Sequence, residues 1–348
     1  MRVLLVKMSS LGDVIHTFPA ITDAAAQGVR FDWVVEEAFA EVAELHPAVD
    51  NVIPIAWRRW RRALLAPARG RSHRGELGEF IRRLRARHYD MVLDAQGLLK
   101  SGIVTALALG ERKCGLGVRS ARESVAAAFY AQRINVPRQQ HAVARLRQLF
   151  AGAFGYALPT QENFGLQADR TPQRLCVLLH GTSWPSKLWP EAMWIALARR
   201  AVELGLQIAV PWGDESERLR AQRIANAVGG QVWERTGLAL TARRLARAAI
   251  VVGVDSGLSH LSAALGVPTL VLYGSTDRRL TGCRGARAVG LQADFDCAPC
   301  LARTCRYRGA DELWRGEAVR PACYSRLAPD QVWQAATDLM DADRVLSL

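Results

Sequence analysis

The chain has 348 residues, half of them apolar and 23% charged, with a formal net charge of +13. That length exceeds the roughly 150 residues of one domain and implies two, each with an ample core. The first apolar run, Val3 to Val6, stops at Lys7, and no run approaches the ~18 residues of a membrane-spanning helix; with no secretory leader read, a cytoplasmic protein with its seven cysteines reduced is expected.

In chain order, short β-rich runs alternate with helical periodicity. Strands are predicted at 2–7, 31–37, 51–56 and 89–97, and helices at 12–27, 76–87 and 141–153. The cycle restarts after the polar stretch 165–174, with strands at 174–181, 207–213, 249–257 and 268–274. Helices are expected between them at 190–204, 215–228, 241–248 and 258–265, and a last one at 329–346 closes the chain. Such alternation predicts an α/β protein with two doubly wound, Rossmann-like parallel-sheet domains, 1–168 and 169–348, facing a cleft. The last helix is expected to pack back toward the first domain. Ligands of open α/β sheets bind beyond the carboxyl ends of the strands, so the informative residues should follow strands.

After the first strand, "KMSSLGDV" sets Ser10, Gly12 and Asp13 at a helix start. A carboxylate there fits a helix cap as well as a general base. "DAQGLLKS" brings Asp94, Gln96 and Lys100 to another strand end. Between Arg58 and Arg87, eleven arginines face two acids, with Trp57 and Trp60 interleaved in "WRRWRR". A field so local points to a nucleic acid, an anionic membrane or a phosphorylated substrate, or else to a solvated helix. The tryptophans suit stacking on bases, a lipid headgroup layer or the core. No helix-turn-helix or RRM signature supports nucleic acid.

The second half offers the opposite charge preference. In "HGTSWPSK", Thr182 and Ser183 supply hydroxyls and Lys187 a cation suited to phosphates. In "WGDESE", Glu217 suits ribose hydroxyls or a helix first turn. In "VDSGLSH", Asp255, Ser256 and Gly257 turn into a helix that carries Leu258 and His260. This is an anion site by its unpaired N–H groups or an ordinary N-cap. Neither G-x-G-x-x-G nor a P-loop follows a strand, and no acid triplet stands where a Mg²⁺ clamp would, so no cofactor is expected. Cys297, Cys300, Cys305 and Cys323, spaced C-x2-C-x4-C-x17-C, are a zinc candidate or plain reduced thiols.

Together these segments, over residues 1 to about 277, closely resemble the ADP-heptose:lipopolysaccharide heptosyltransferases, and among them the member that adds the first heptose. The resemblance implies the GT-B fold and metal-independent transfer of heptose from ADP-heptose to the first Kdo of Kdo2-lipid A, with inversion. It makes Asp13 the general base and Lys187 a second catalytic residue, on the departing phosphates. Thr182, Ser183 and Lys187 would hold the donor phosphates and Glu217 the nucleoside. Asp255, Ser256, Gly257, Leu258 and His260 would hold heptose and diphosphate. Ser183 and Ser256 stand where threonine is common in the family. Acceptor contacts fall on Ser10, Gly12, Arg58, Arg59, Arg61, Arg62, Gln96, Arg122 and His141. The implied setting is a monomer on the anionic cytoplasmic face of the inner membrane, without nucleic acid. A sister enzyme adding a later heptose and a non-catalytic nucleotide-sugar-binding protein are the alternatives. Residues 283–326 are the least covered.

Overall fold

The computed structural model describes residues 1–64, 73–168 and 171–346. Arg69 and Arg71 of the arginine block, and residues 169 and 170 at the expected boundary, lie outside the described residues. The chain divides into two compact units, Met1–Leu166 and Gln167–Leu348.

The first unit holds strands β1 (Arg2–Val6), β2 (Arg30–Glu36), β3 (Val49–Ile55), β4 (Tyr89–Asp94), β5 (Gly110–Leu116) and β6 (Gln132–Ile134). They form one sheet in the order β3-β2-β1-β4-β5-β6, every described pairing parallel. Helices cover both faces of such a sheet, so its central strands must be apolar all along rather than alternating. Val3 to Val6 of β1 are fully buried for that reason. Around the sheet lie α1 (Leu11–Ala25), α2 (Ala40–Ala43), α3 (Trp57–Leu64), α4 (His73–Leu84), α5 (Leu99–Leu107) and α6 (Ala142–Phe154).

The second unit repeats the plan. Strands β7 (Gln173–Leu179), β8 (Gln207–Val210), β9 (Gln231–Val232), β10 (Ala248–Val254), β11 (Thr269–Tyr273) and β12 (Ala288–Gln292) form a sheet ordered β12-β11-β10-β7-β8-β9. Helices α7 (Glu191–Glu203), α8 (Glu215–Asn226), α9 (Leu238–Ala246), α10 (Gly257–Ala264) and α11 (Arg278–Thr281) follow its strands. A short ribbon of β13 (Leu313–Trp314) and β14 (Glu317–Ala318) precedes α12 (Pro329–Leu346). Helix α12 packs on α7, β10 and β11 of its own unit. Trp189 anchors that contact: its indole N–H donates to Leu327 O at 3.1 Å, and its ring meets Trp194 edge-on at 5.0 Å. Such an aromatic pair adds about 0.5–1.5 kcal/mol beyond its burial.

Counted from its own first strand, each sheet runs 3-2-1-4-5-6. The chain order therefore reverses between β1 and β4 and again between β7 and β10, and a crevice opens at each reversal. The expected segments at 10–13, 96–100, 182–187 and 255–260 leave these four strands, whereas Glu217 follows β8, Arg58 to Arg62 follow β3, Arg122 follows β5 and His141 follows β6.

Candidate active site

At the first reversal, Val6 and Asp94 are register partners at the ends of β1 and β4. Residue Ser10 caps α1, and Asp13 in the first turn reaches back to it. Asp13 Oδ2 accepts from Ser10 N at 2.6 Å and Ser10 Oγ at 2.9 Å. Lys7, only 7% exposed, places Nζ 3.5 Å from Asp13 Oδ1. One carboxylate oxygen thus serves the cap while the other faces a lysine, and the side chain stays 43% exposed. Burial would push this carboxyl up, but Lys7, the Ser10 N–H and His16 together hold it below the ordinary value.

Gln96 steadies the same turn. Its Oε1 accepts from Met8 N at 2.7 Å and its Nε2 donates to Ser9 O at 3.0 Å. Lys100 Nζ lies 3.4 Å from Ser9 Oγ. Asp94 is fully buried and ties down Gln96 N, Gly97 N and Tyr130 Oη, so it anchors the turn rather than facing a ligand. His141, 5% exposed, caps α6 by accepting Val143 N–H on Nδ1 and meets the His16 ring edge-on at 5.4 Å. Gly12 is half-buried in the first turn of α1, and Arg122 is exposed beyond β5.

The tryptophans of "WRRWRR" belong to the core. Trp57 and Trp60, three residues apart on α3, pack against the sheet-side cluster, and Trp60 Nε1 donates to Glu76. The arginines face out. Arg59 holds Glu37 and Glu76, so its charge is committed within the fold. Arg58 lies over the Phe39 ring at 5.1 Å, and Arg61 and Arg62 are exposed.

At the second reversal, Leu179 of β7 pairs with Gly253 of β10. Gly253 has a packing reason: a Cβ there would sit 2.4 Å from Ser259 Oγ and push α10 away. Ser256 caps α10 through Ser259 N, leaving the N–H groups of Gly257 and Leu258 at the helix start without intrahelical partners. Asp255, 6% exposed, accepts from Lys187 Nζ and Thr276 Oγ1, both at 2.7 Å, and its Oδ1 lies 3.4 Å from His260 Nε2. Against the effect of burial, His260 and Lys187 hold this carboxyl far below its ordinary value. Thr182 Oγ1 donates to Asp255 O, and Ser183 is exposed beside it. Glu217 accepts from Gly213 N at 2.7 Å and lies over Gly181, where a Cβ would come within 2.5 Å of the carboxylate. Lys187, the Thr182 hydroxyl and the N–H groups that open α10 are thus gathered around Asp255, a donor set whose chemistry suits an anion.

The cysteine-rich segment braces this donor set from behind. Ser186 donates Oγ–H to Ala302 O and its N–H to Arg303 O, and Tyr324 Oη donates to Lys187 O at 2.8 Å. Cys297, Cys300, Cys305 and Cys323 line one cavity of about 380 Å³. Even so, among the described residues no three His, Cys, Asp or Glu side chains are placed to hold a metal ion. Of the two readings of this spacing, the arrangement matches reduced thiols around a cavity, with Cys323 packed buried beneath Gly274 and the other three at the surface. Burial and then the neighbouring thiols push Cys323 up to about 12, so it is a neutral thiol. Sequence reasoning missed Lys7, Thr276 and Cys283. Lys7 left a signal, a charge closing a buried strand; Thr276 and Cys283 left none.

Two sheets of Rossmann order, one ending in a donor set that suits an anion and the other in a carboxylate flanked by cations, are the architecture of a GT-B glycosyltransferase. Glycosyltransferase family 9 (heptosyltransferase) matches residues 77–310. Lipopolysaccharide heptosyltransferase 1 of Pseudomonas aeruginosa is 48% identical over 344 residues, 95% of this chain and 96% of that protein. Among solved structures, E. coli heptosyltransferase WaaC with ADP superposes with a TM-score of 0.79 at 43% identity, covering 84% of this chain and 93% of that one. WaaC with ADP-2-deoxy-2-fluoro heptose gives 0.80 at 38% identity, covering 97% and 99%. The chain belongs to glycosyltransferase family 9 and is a heptosyltransferase.

Proposed function

We propose that this enzyme transfers L-glycero-D-manno-heptose from ADP-heptose to the first Kdo of Kdo2-lipid A, inverting the anomeric centre. The observation that carries the donor half is the meeting of Lys187 and Thr182 at Asp255, beside the N–H groups that open α10. The solved relatives hold ADP or an ADP-heptose analogue. Asp13 accepts the proton of the Kdo hydroxyl as it attacks the anomeric carbon from the face opposite ADP. Lys187, the two hydroxyls and the helix start take up the charge that builds on the departing diphosphate. Because Lys7 keeps Asp13 ionised and weakly basic, its proton transfer comes late, when the attacking hydroxyl has become acidic. Kdo carboxylates and lipid A phosphates give Arg58, Arg61 and Arg62 their partners, and they seat the enzyme on an anionic membrane face.

The test is incubation with ADP-heptose in EDTA, with Kdo2-lipid A or its heptosylated product as acceptor. Transfer to the first alone is expected. Transfer to the second alone makes this a later enzyme of the series, and loss of activity in EDTA overturns the metal-free route.

A further inference from the structure

Cys283, in the loop after α11, lies against the donor half and has no role in the chemistry above. Its N–H donates to Tyr273 Oη at 2.7 Å, and its Sγ lies 3.3 Å from His260 Nδ1. His260 is 6% exposed and turns its other nitrogen to Asp255. Asp255 in turn is bonded to Lys187. Sulfur, imidazole, carboxylate and ammonium form one continuous relay within the second unit.

The order of that relay matters for Lys187. As Lys187 turns its N–H groups toward a diphosphate, Asp255 gives up all or part of its cation, and a buried carboxylate stripped of its cation is strongly unfavourable. A charged His260 removes the obstacle, because Asp255 then keeps a cation when Lys187 moves. A charged ring bears hydrogen on both nitrogens and needs two acceptors: Asp255 serves Nε2–H and the Cys283 sulfur serves Nδ1–H.

We propose that Cys283 is a positioning residue of the donor site, holding His260 as the standing cation on Asp255 so that Lys187 is free to meet the donor diphosphate. This rests on the donor reading given above. The electrostatics agree: burial opposes charge on His260, but Cys283 and then Asp255 outweigh it and raise the ring to about 10. The groups facing this centre are Asp255 after β10, Cys283 after α11, Tyr273 on β11, Lys187 from the loop after β7 and Tyr324 from the turn before α12.

The experiment is calorimetric titration with ADP from pH 6 to 9, on the parent enzyme, Cys283→Val and Cys283→Ser. The valine fills the site with apolar atoms and no acceptor; the serine keeps an acceptor. Losing a hydrogen bond to a charged group predicts about tenfold or greater weakening of ADP binding in Cys283→Val, growing with pH, and recovery in Cys283→Ser. Equal affinity and an unchanged pH profile in Cys283→Val overturn the proposal. Absence of ADP binding by the parent instead overturns the donor reading. If Cys283→Val does not fold, ring-nitrogen NMR of the parent decides: both His260 nitrogens protonated at pH 8 supports the assignment, and a neutral ring at that pH sinks it.

Discussion

Asp13 is the cap carboxylate of α1 and also the base proposed above. Its Oδ2 is occupied by the cap and its Oδ1 faces Lys7, so the carboxylate is aimed by the helix it helps to start. Asp13→Ala should lower turnover by about 10²–10⁴-fold, the usual share of general-base catalysis, and leave ADP affinity unchanged by calorimetry. Lys7→Met removes the strongest influence that lowers the carboxyl. The base then protonates at higher pH, and the acid limb of the rate profile moves upward; a limb that stays in place would free Lys7 of this role. Asp13 was legible in the sequence as a polar residue just past a strand. Its partner Lys7 left only the signal of a charge closing a buried strand, which does not tell where the ammonium goes; the structure places it 3.5 Å from Asp13 Oδ1.

Among the elements, the buried central strands were easy to read because both faces are apolar, and the long amphipathic helices because their period is clear. Strands β5, β6, β9 and β12 and the β13/β14 ribbon escaped detection: "GERKCGL" is half exposed, "AVGLQ" has no buried residue, and the others are too short to show a pattern. Helix α3 was hidden in the arginine block, since its charge masks the spacing of Trp57 and Trp60. With Arg59 committed to Glu37 and Glu76, the acceptor field proposed above narrows to its neighbours. Arg61→Glu with Arg62→Glu should raise the acceptor KM and reduce sedimentation with anionic vesicles, while donor KM stays constant. Helix α6 is pinned to α1 by Arg147 and Asp23, both 5% exposed, at 2.6 Å. Arg147 also donates to Pro159 O and Gln161 O. Arg147→Ala should cost about 3–5 kcal/mol in urea unfolding, because it strands a buried carboxylate.

Over the whole molecule, histidines set opposite limits on stability with pH. His46 accepts Ala48 N–H on Nδ1, so its Nε2 carries the hydrogen and donates to Thr22 Oγ1 at 2.9 Å. A second proton would break that arrangement. Burial, then Arg30, lowers His46 to about 4. Burial, then Arg220, does the same to His180. Between the ordinary value near 6.5 and 4 the unfolded chain takes up the proton first, so stability falls as pH drops, by an order of about 3 kcal/mol for each histidine. His260 has the opposite sign: its contribution is complete below about 6.5 and fades as pH rises toward 10. The urea midpoint should therefore fall on both sides of a maximum near neutrality, and His46→Gln should blunt the acid side. A midpoint flat from pH 4.5 to 7 would contradict these assignments.

The repeated strand order has a bearing on how such enzymes diversify. Each unit supports its own reversal point with its own hydrogen bonds: Gln96 and Lys7 in the first, Thr276 and Ser186 in the second. Substitutions that retune one crevice leave the scaffolding of the other untouched. Under the division of labour proposed above, acceptor preference can then drift over generations while the nucleotide-sugar half stays under unchanged selection, and exchanging the first unit between relatives is a direct route to new sugar linkages.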